Sequence, residues 1–261
     1  MEYLNGVFIF FAGLWAGTIN SVVGSGTLVT FPVLIALGYA PVTASISNAM
    51  GLVAGNAAGA WGYRKELAGR GKALLRLLPA SLLGGITGAY LLLHLPEKVF
   101  GYAAPVLIVV ALLMVVFQPR LQQWVRNREQ NPEHAIRDRS HGILLVVLVY
   151  LAGVYGGYFV AAQGILLVGI LGVFMAGTIQ NANAMKNILV LGVNIVAAAS
   201  YLLFAFGRIN WAVVGLIAVS SLIGGIIGSK VGRRLSPVVL RGVIFTLGIV
   251  ALGFMIANLF K

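Results

Sequence analysis

Cysteine is absent from this chain, and acidic residues are scarce: six Asp and Glu stand against eighteen Lys and Arg, and charged residues fill only 9% of 261 positions. The missing cysteine removes disulfides, thiolate catalysis and cysteine-ligated metals. The scarcity of charge removes water-soluble folds, whose domains carry about 25% charged residues. With 60% hydrophobic residues and a mean hydropathy of +0.98, the chain holds more apolar surface than a soluble fold of this size can hide, and lipid is its natural solvent. Aspartate is missing from every apolar stretch, and His94, His134 and His141 sit at stretch ends or in a hydrophilic linker without metal-ligand spacing. No phosphate-binding loop of the nucleotide-hydrolase kind occurs. These absences argue against an intramembrane hydrolase, a metal site, a cofactor and a built-in ATP motor, so catalysis is not expected. The net charge of +12 does not call for nucleic acid, because basic loops follow from the positive-inside bias of membrane proteins.

What is present is a series of long apolar stretches. A membrane span needs about 20 apolar residues. Stretches 43–63, 73–95, 99–118, 211–231 and 238–259 fit single helices, and 181–206 is a sixth with polar residues in its first turns. Two others, 5–39 and 142–177, exceed one span and are interrupted, the first at Gly24-Ser25-Gly26-Thr27 and the second at Gln163-Gly164. Each predicts a pair of short, tilted or re-entrant helices. The start, Met1 to Asn5, lacks a basic region, so the first stretch reads as a retained membrane element and not a signal peptide. Residues 119–140, with five arginines and Asn131-Pro132, form the only extended hydrophilic segment. The expected organisation is a first transmembrane repeat at 1–118, a basic cytoplasmic linker at 119–140 and a second repeat at 141–261.

The two halves align at an offset of 140 residues: Ser81-Leu82-Leu83-Gly84-Gly85-Ile86-Thr87-Gly88 falls on Ser221-Leu222-Ile223-Gly224-Gly225-Ile226-Ile227-Gly228. The same offset sets Gly13 on Gly153, Gly17 on Gly157 and Gly24 on Gly164. Transporters are often built from such repeats. An odd number of crossings per half puts the loops around Arg64–Arg76, the arginine-rich linker and the segment Lys230–Arg241 on one side, leaving Lys98, Arg208 and Lys261 on the other. The positive-inside rule favours this arrangement. The expected fold is therefore an all-α polytopic membrane protein of two homologous, inverted halves, each with a broken or re-entrant helix pair and three full spans.

Four polar clusters are candidates for function. Asn20-Ser21 with Gly24-Ser25-Gly26-Thr27 and Pro32 surround the first break, where freed backbone groups survive only beside protein or a water-filled cavity. A half-helix beginning near Thr27 would aim N–H groups and partial positive charge at an anion; equally, small residues allow close helix packing. Pro41, Thr43, Ser45, Ser47 and Asn48 open the next span, with Thr43 suited to cap it and Asn48 to either an interhelical bond or a ligand. The third cluster, Asn181, Asn183, Lys186 and Asn187, contains the only basic residue well inside an apolar stretch. An intramembrane lysine is a functional residue by default, the alternative being that it snorkels to the interface. With no acidic residue nearby in sequence, an exogenous anion is a fitting partner. The fourth, Tyr155-Gly156-Gly157-Tyr158 with Gln163-Gly164, corresponds to the first break through the repeat, although tyrosines also anchor at interfaces.

At these clusters the sequence resembles the sulfite exporter TauE/SafE family. The resemblance runs through Gly17, Asn20-Ser21, Gly24, Gly26, Leu28, Pro32, Leu34, Gly38, Pro41, Ala44 and Ser47-Asn48 in the first half. In the second it runs through Gly153, Tyr155-Gly156-Gly157-Tyr158-Phe159, Gly164, Asn183-Ala184, Lys186-Asn187, Gly224-Gly225, Gly228 and Arg233-Arg234. Where the family often shows longer glycine runs, this chain has Gly24-Ser25-Gly26-Thr27 and Ala161-Ala162-Gln163-Gly164. The resemblance implies a multi-pass permease of the bacterial inner membrane for sulfite, organosulfonates or related oxyanions.

The functional expectation is a secondary transporter exporting a small sulfur-containing anion by alternating access. Backbone N–H groups near Gly24–Thr27 and Gly164 would hold oxygens. Asn48, Asn183 and Asn187 would add hydrogen bonds, and Lys186 the compensating charge. An anion channel and a non-transporting accessory subunit are the alternatives. The expected partners are a small anion and the lipid bilayer, with homo-oligomerisation a further option.

Overall fold

The computed structural model describes residues 2–130, 142–175, 177–231 and 237–259. Among these residues there are ten α-helices and no strand: α1 (Glu2–Val22), α2 (Thr27–Ala36), α3 (Pro41–Gly62), α4 (Gly71–His94), α5 (Glu97–Gln130), α6 (Ile143–Tyr158), α7 (Gln163–Phe174), α8 (Ile179–Phe204), α9 (Trp211–Val231) and α10 (Pro237–Leu259). Arg137, Arg139, His134, His141, Arg233, Arg234 and Lys261 lie outside the described residues. Five helices among the described residues, α1, α4, α5, α8 and α9, are long and apolar enough to cross a membrane. The chain is an all-helical polytopic membrane protein.

Local sequence accounts for several boundaries and shifts others. Pro41 stands at the first position of α3 behind Ala40, so Thr43 is not its cap; a proline there loses no helical hydrogen bond. Thr178 and Asn181 form a reciprocal capping box at the start of α8. The first broken stretch divides into a helix pair as its interruption predicts, with α1 of 21 residues and a short α2 of 10. The second interruption lies at Phe159–Ala162, just before Gln163-Gly164, which open α7. Its cause is backbone conformation: Val160 and Ala162 have φ of 65° and 60°, a region that non-glycine residues adopt only at a steric cost. The hydrophilic segment is helical at first, since α5 continues through Pro119 to Gln130. Helix α3 is long but not among the five strongly apolar helices. Its Ser45, Ser47, Asn48 and Asn56 are all buried within the protein, which explains why it tolerates polarity that a lipid-facing helix would not.

The packing of one half is repeated in the other with partners exchanged. Helix α1 lies on α9, and its counterpart α6 lies on α4. Both seams are built on glycine. A Cβ on Gly84 or Gly88 would strike the backbone of α6 at Tyr150–Val154 or Val154–Tyr158, and one on Gly224 or Gly228 would strike α1 at Leu14 or Thr18. Small residues at such seams let backbones approach closely. Contacts advance together along α1 and α9 (Gly13 with Ser220, Thr18 with Gly228) and along α3 and α9 (Gly51 with Ile217, Gly62 with Ser229), so these pairs run parallel. Helices α3 and α8 run antiparallel. The Ser47 hydroxyl accepts from the Asn210 N–H at one end (3.0 Å), and the Asn181 amide donates to the Glu66 carbonyl at the other (2.7 Å). Arg64, Lys65, Arg70, Lys72 and Lys230 gather at the Glu66 end; Lys98 and Arg208 lie at the opposite one, where Arg208 pairs with Glu97 at 3.7 Å.

The two breaks meet. Gly24 and Gly164, equivalent under the 140-residue offset, touch backbone to backbone: a Cβ on Gly24 would fall 2.6 Å from the Cα of Gly164, and one on Gly164 2.5 Å from the Cα of Gly24. The Gly164 N–H donates to the Gly24 carbonyl at 3.2 Å. Gly24 also has φ +89°. Gly38 has nearly the same φ, +87°, with nothing within 4 Å of its Cβ position. Comparing alanine at the two sites therefore separates strain from collision. Gly38→Ala should cost about 1–2 kcal/mol, the ordinary penalty of a left-handed residue. Gly24→Ala should lower the thermal unfolding midpoint of the detergent-purified protein by a clearly larger margin, read by fluorescence-detected gel filtration after heating.

Candidate functional site

Breaking α1 after Val22 frees carbonyls that would normally accept bonds from the next helical turn. Three carbonyls at this break find partners on three other helices. The Asn20 carbonyl accepts from the Lys186 ammonium of α8 (3.0 Å), the Val23 carbonyl from the Gln118 amide of α5 (3.3 Å), and the Gly24 carbonyl from Gly164 at the start of α7. Lys186 thus sits where the α1 dipole is negative, a position that favours a cation. It is 1% exposed, and its Cδ is 2.8 Å from the Cβ position of Gly164. It is drawn inward against the break and does not snorkel away. An ammonium has three donors, and this bond engages one.

Asn20 is the hub of the first half. Its Oδ1 accepts from the Gly26 N–H at the start of α2 (3.2 Å), and its Nδ2 donates to Asn56 Oδ1 of α3 in a short bond. Beside it, Thr30 donates to Asn48 Oδ1 through a short bond, and Asn48 Nδ2 donates to Thr27 Oγ1 at 3.2 Å. Helices α2 and α3 are thereby tied together by Asn48, which has no exposed surface. The backbone N–H groups of Gly26 and Gly164, suited by sequence to hold an anion, are used inside the protein.

The sequence-selected residues therefore divide. Asn20, Gly24, Gly26, Gly164 and Lys186 meet at the paired breaks. Thr27 and Asn48 form the adjoining α2–α3 link. Ser21 joins the α1–α9 seam instead, donating to the Gly17 and Gly225 carbonyls, and Ser47 lies away from the breaks at the Asn210 end of α3. Gln163 is fully buried with its amide against Gly156 of α6. Ser25 Oγ, Tyr155 Oη, both amide atoms of Gln163, Asn183 Oδ1 and Asn187 Nδ2 have no hydrogen-bond partner among the described residues.

Four residues of this region escape selection by sequence: Thr30, Asn56, Gln118 and Asn194, all buried. Asn56 follows Asn48 by eight positions and Asn194 follows Asn187 by seven, spacings that return to the same face of a helix. Helical phase was the available signal. Gln118 and Thr30 had none, because they reach the site from the end of one span and from within a short helix.

The hub makes a quantitative expectation. Asn20→Ala leaves the Gly26 N–H and Asn56 Oδ1 unpaired in an apolar setting, each costing about 1–3 kcal/mol. Unfolding temperatures should fall for Asn20→Ala and Asn56→Ala separately. The double variant should fall by less than the sum, with a coupling of about 0.5–3 kcal/mol.

Comparison with known proteins places this architecture. No solved structure matches the chain. It is 26% identical to the "Probable membrane transporter protein YfcA" of Escherichia coli strain K12 over 87% of this chain and 79% of that protein. It is 25% identical to the "Probable membrane transporter protein ORF9" of Sinorhizobium sp, covering 85% and 81% of the two chains. With the corresponding "Probable membrane transporter protein" of Haemophilus influenzae it shares 23% identity over 85% and 83%. The family description "Sulfite exporter TauE/SafE" matches residues 9–255, nearly the whole of the chain, and the protein belongs to that family of membrane transporters.

Proposed function

We propose that this membrane transporter carries small anions outward across the bacterial inner membrane, with sulfite, an organosulfonate or a related sulfur oxyanion as substrate, by alternating access between two inverted halves. One observation carries the reading: the Lys186 ammonium is buried at the meeting of the two breaks, with a backbone carbonyl as partner and, among the described residues, no carboxylate. A helix C-terminus offsets at most about 2 kcal/mol for a partly buried cation, whereas taking an ammonium out of water costs several kcal/mol. The cap alone does not balance the charge, and an anionic ligand supplies the remainder.

Helix directions support the inverted halves. Helices α3 and α8 are counterparts under the 140-residue offset yet run antiparallel. The paired breaks lie where such halves meet, as in transporters whose discontinuous helices line the substrate site. Burial supports a carrier over an open channel, since Asn48, Gln163 and Asn194 have no exposed surface and the site must open to admit a solute. Transport without catalysis fits the family and the names of the relatives.

Export needs no coupled ion, because an inside-negative potential drives a monovalent anion outward with about 2.3 kcal/mol per 100 mV. Proteoliposomes loaded with sulfite should show saturable efflux that accelerates when a potassium diffusion potential makes the interior negative. Lys186→Met should lower that efflux at least about tenfold, a loss of 1.4 kcal/mol or more in transition-state stabilisation. Efflux indifferent to potential, or unchanged in Lys186→Met, would refute the mechanism.

A further inference from the structure

The buried polar groups of the two halves differ in one respect: those of the first half are largely bonded to one another, and those of the second are not. Asn20, Asn48, Asn56, Thr27 and Thr30 are linked across α1, α2 and α3, leaving Asn56 Nδ2, Ser25 Oγ and Gln118 Oε1 as the first half's unpartnered side-chain atoms near the breaks among the described residues. On α7 and α8, both atoms of the Gln163 amide, both atoms of the Asn194 amide and Asn187 Nδ2 are buried without a partner among the described residues. Gln163 and Asn194 have no exposed surface, and Asn187 is 6% exposed. Buried polar groups in native proteins are overwhelmingly hydrogen-bonded, and in hydrocarbon no lipid atom substitutes.

These groups share one corner of the molecule. The first turn of α7 is wedged between α6 and α8, with Gln163 against Gly156 and Gly164 against Lys186. Tyr201 of α8 donates to the Gly157 carbonyl (3.1 Å), so the face of α8 bearing Tyr201 is turned to α6. Asn187 and Asn194 lie seven residues apart on that same face. Asn194 and Asn56 stand about midway between the two bonds that pin α3 to α8, and Asn56 Nδ2 is itself without a partner. Tyr155, next to Gly156, adds another unpartnered buried hydroxyl.

We propose that the substrate is held on the α6–α7–α8 side by Gln163, Asn187 and Asn194, and that it is a small oxyanion also carrying an O–H or N–H group. The proposal rests on the anion-transporter reading and sharpens it. Amide nitrogens donate and amide oxygens accept. A fully deprotonated oxyanion satisfies only the donors and leaves the oxygens of Gln163 and Asn194 unmet. A hydrogen oxyanion, or a sulfonate bearing a hydroxyl or ammonium group, satisfies both. Lys186, next to Asn187 and against Gly164, supplies one positive charge. The first-half network, in turn, positions the breaks and does not itself hold the ligand.

The test is competition against exchange of labelled sulfite in proteoliposomes containing the purified full chain. The competitors are 2-hydroxyethanesulfonate and propanesulfonate, of equal charge and similar size. The hydroxylated sulfonate should compete about tenfold better, the effect of leaving buried acceptors unpaired, and the advantage should disappear in Asn194→Leu or Gln163→Leu. Equal competition in the wild type would overturn the proposal while leaving anion transport intact. An advantage that survives in both variants would also overturn it, by placing the acceptors elsewhere. Absence of sulfite exchange in the wild type would remove the anion reading itself, and this proposal with it.

Discussion

A helix interrupted within a bilayer exposes carbonyl and amide groups that hydrocarbon cannot satisfy, and here the two interruptions satisfy each other. Gly24 and Gly164 touch, and the Gly164 N–H reaches the Gly24 carbonyl. The Asn20 and Val23 carbonyls at the first break draw in Lys186 from α8 and Gln118 from α5. Four helices thereby converge on one point because the backbone there must be paired. The rest follows from that convergence: α3 is buried and tolerates its asparagines, α2 is held to α3 by Asn48, and the polar side chains of α8 are brought to the same interior.

The second break is held differently. Its backbone passes through positive φ at Val160 and Ala162, a conformation maintained by the packing around it. Phe159 stacks edge-on with Phe31 of α2 at 5.4 Å and lies 6.0 Å from Phe100 of α5. One break is thus secured by hydrogen bonds and a cation, the other by aromatic packing and burial. The halves share a chain path but not the chemistry at their breaks. Under the 140-residue offset Lys186 corresponds to Ile46, and Asn20 to Val160. A cation contributed by one half and a helix end by the other give an asymmetric site inside a near-symmetric frame.

The frame was largely legible in the sequence. Hydropathy gave most helices, glycine spacing pointed to an offset under which the touching Gly24 and Gly164 are equivalent, and the apolar setting of Lys186 marked it as the residue to follow. What was not legible required three dimensions. Nothing in Gly26 or Gly164 reveals that their N–H groups are used internally, by Asn20 Oδ1 and the Gly24 carbonyl. The second interruption was misplaced because Gln163-Gly164 looks like a breaker, whereas the actual break lies in the apolar run Phe159–Ala162 and is imposed by tertiary packing. Asn56 and Asn194 were visible only as members of a helical face. The order of α1 on α9 and α6 on α4 could not be read from composition, since all four helices carry similar glycine-rich seams.

If the closed site between the halves opens to one side at a time, its accessibility must alternate. The natural lack of cysteine makes this measurable with a single introduced thiol. In Asn187→Cys, membrane-impermeant maleimide would be applied to right-side-out and inside-out vesicles while a sulfite gradient is imposed in either direction. The account predicts labelling from each face, with a gradient that raises the rate from one face lowering it from the other. Rates that rise together from both faces, or a thiol that reacts from neither, would contradict it.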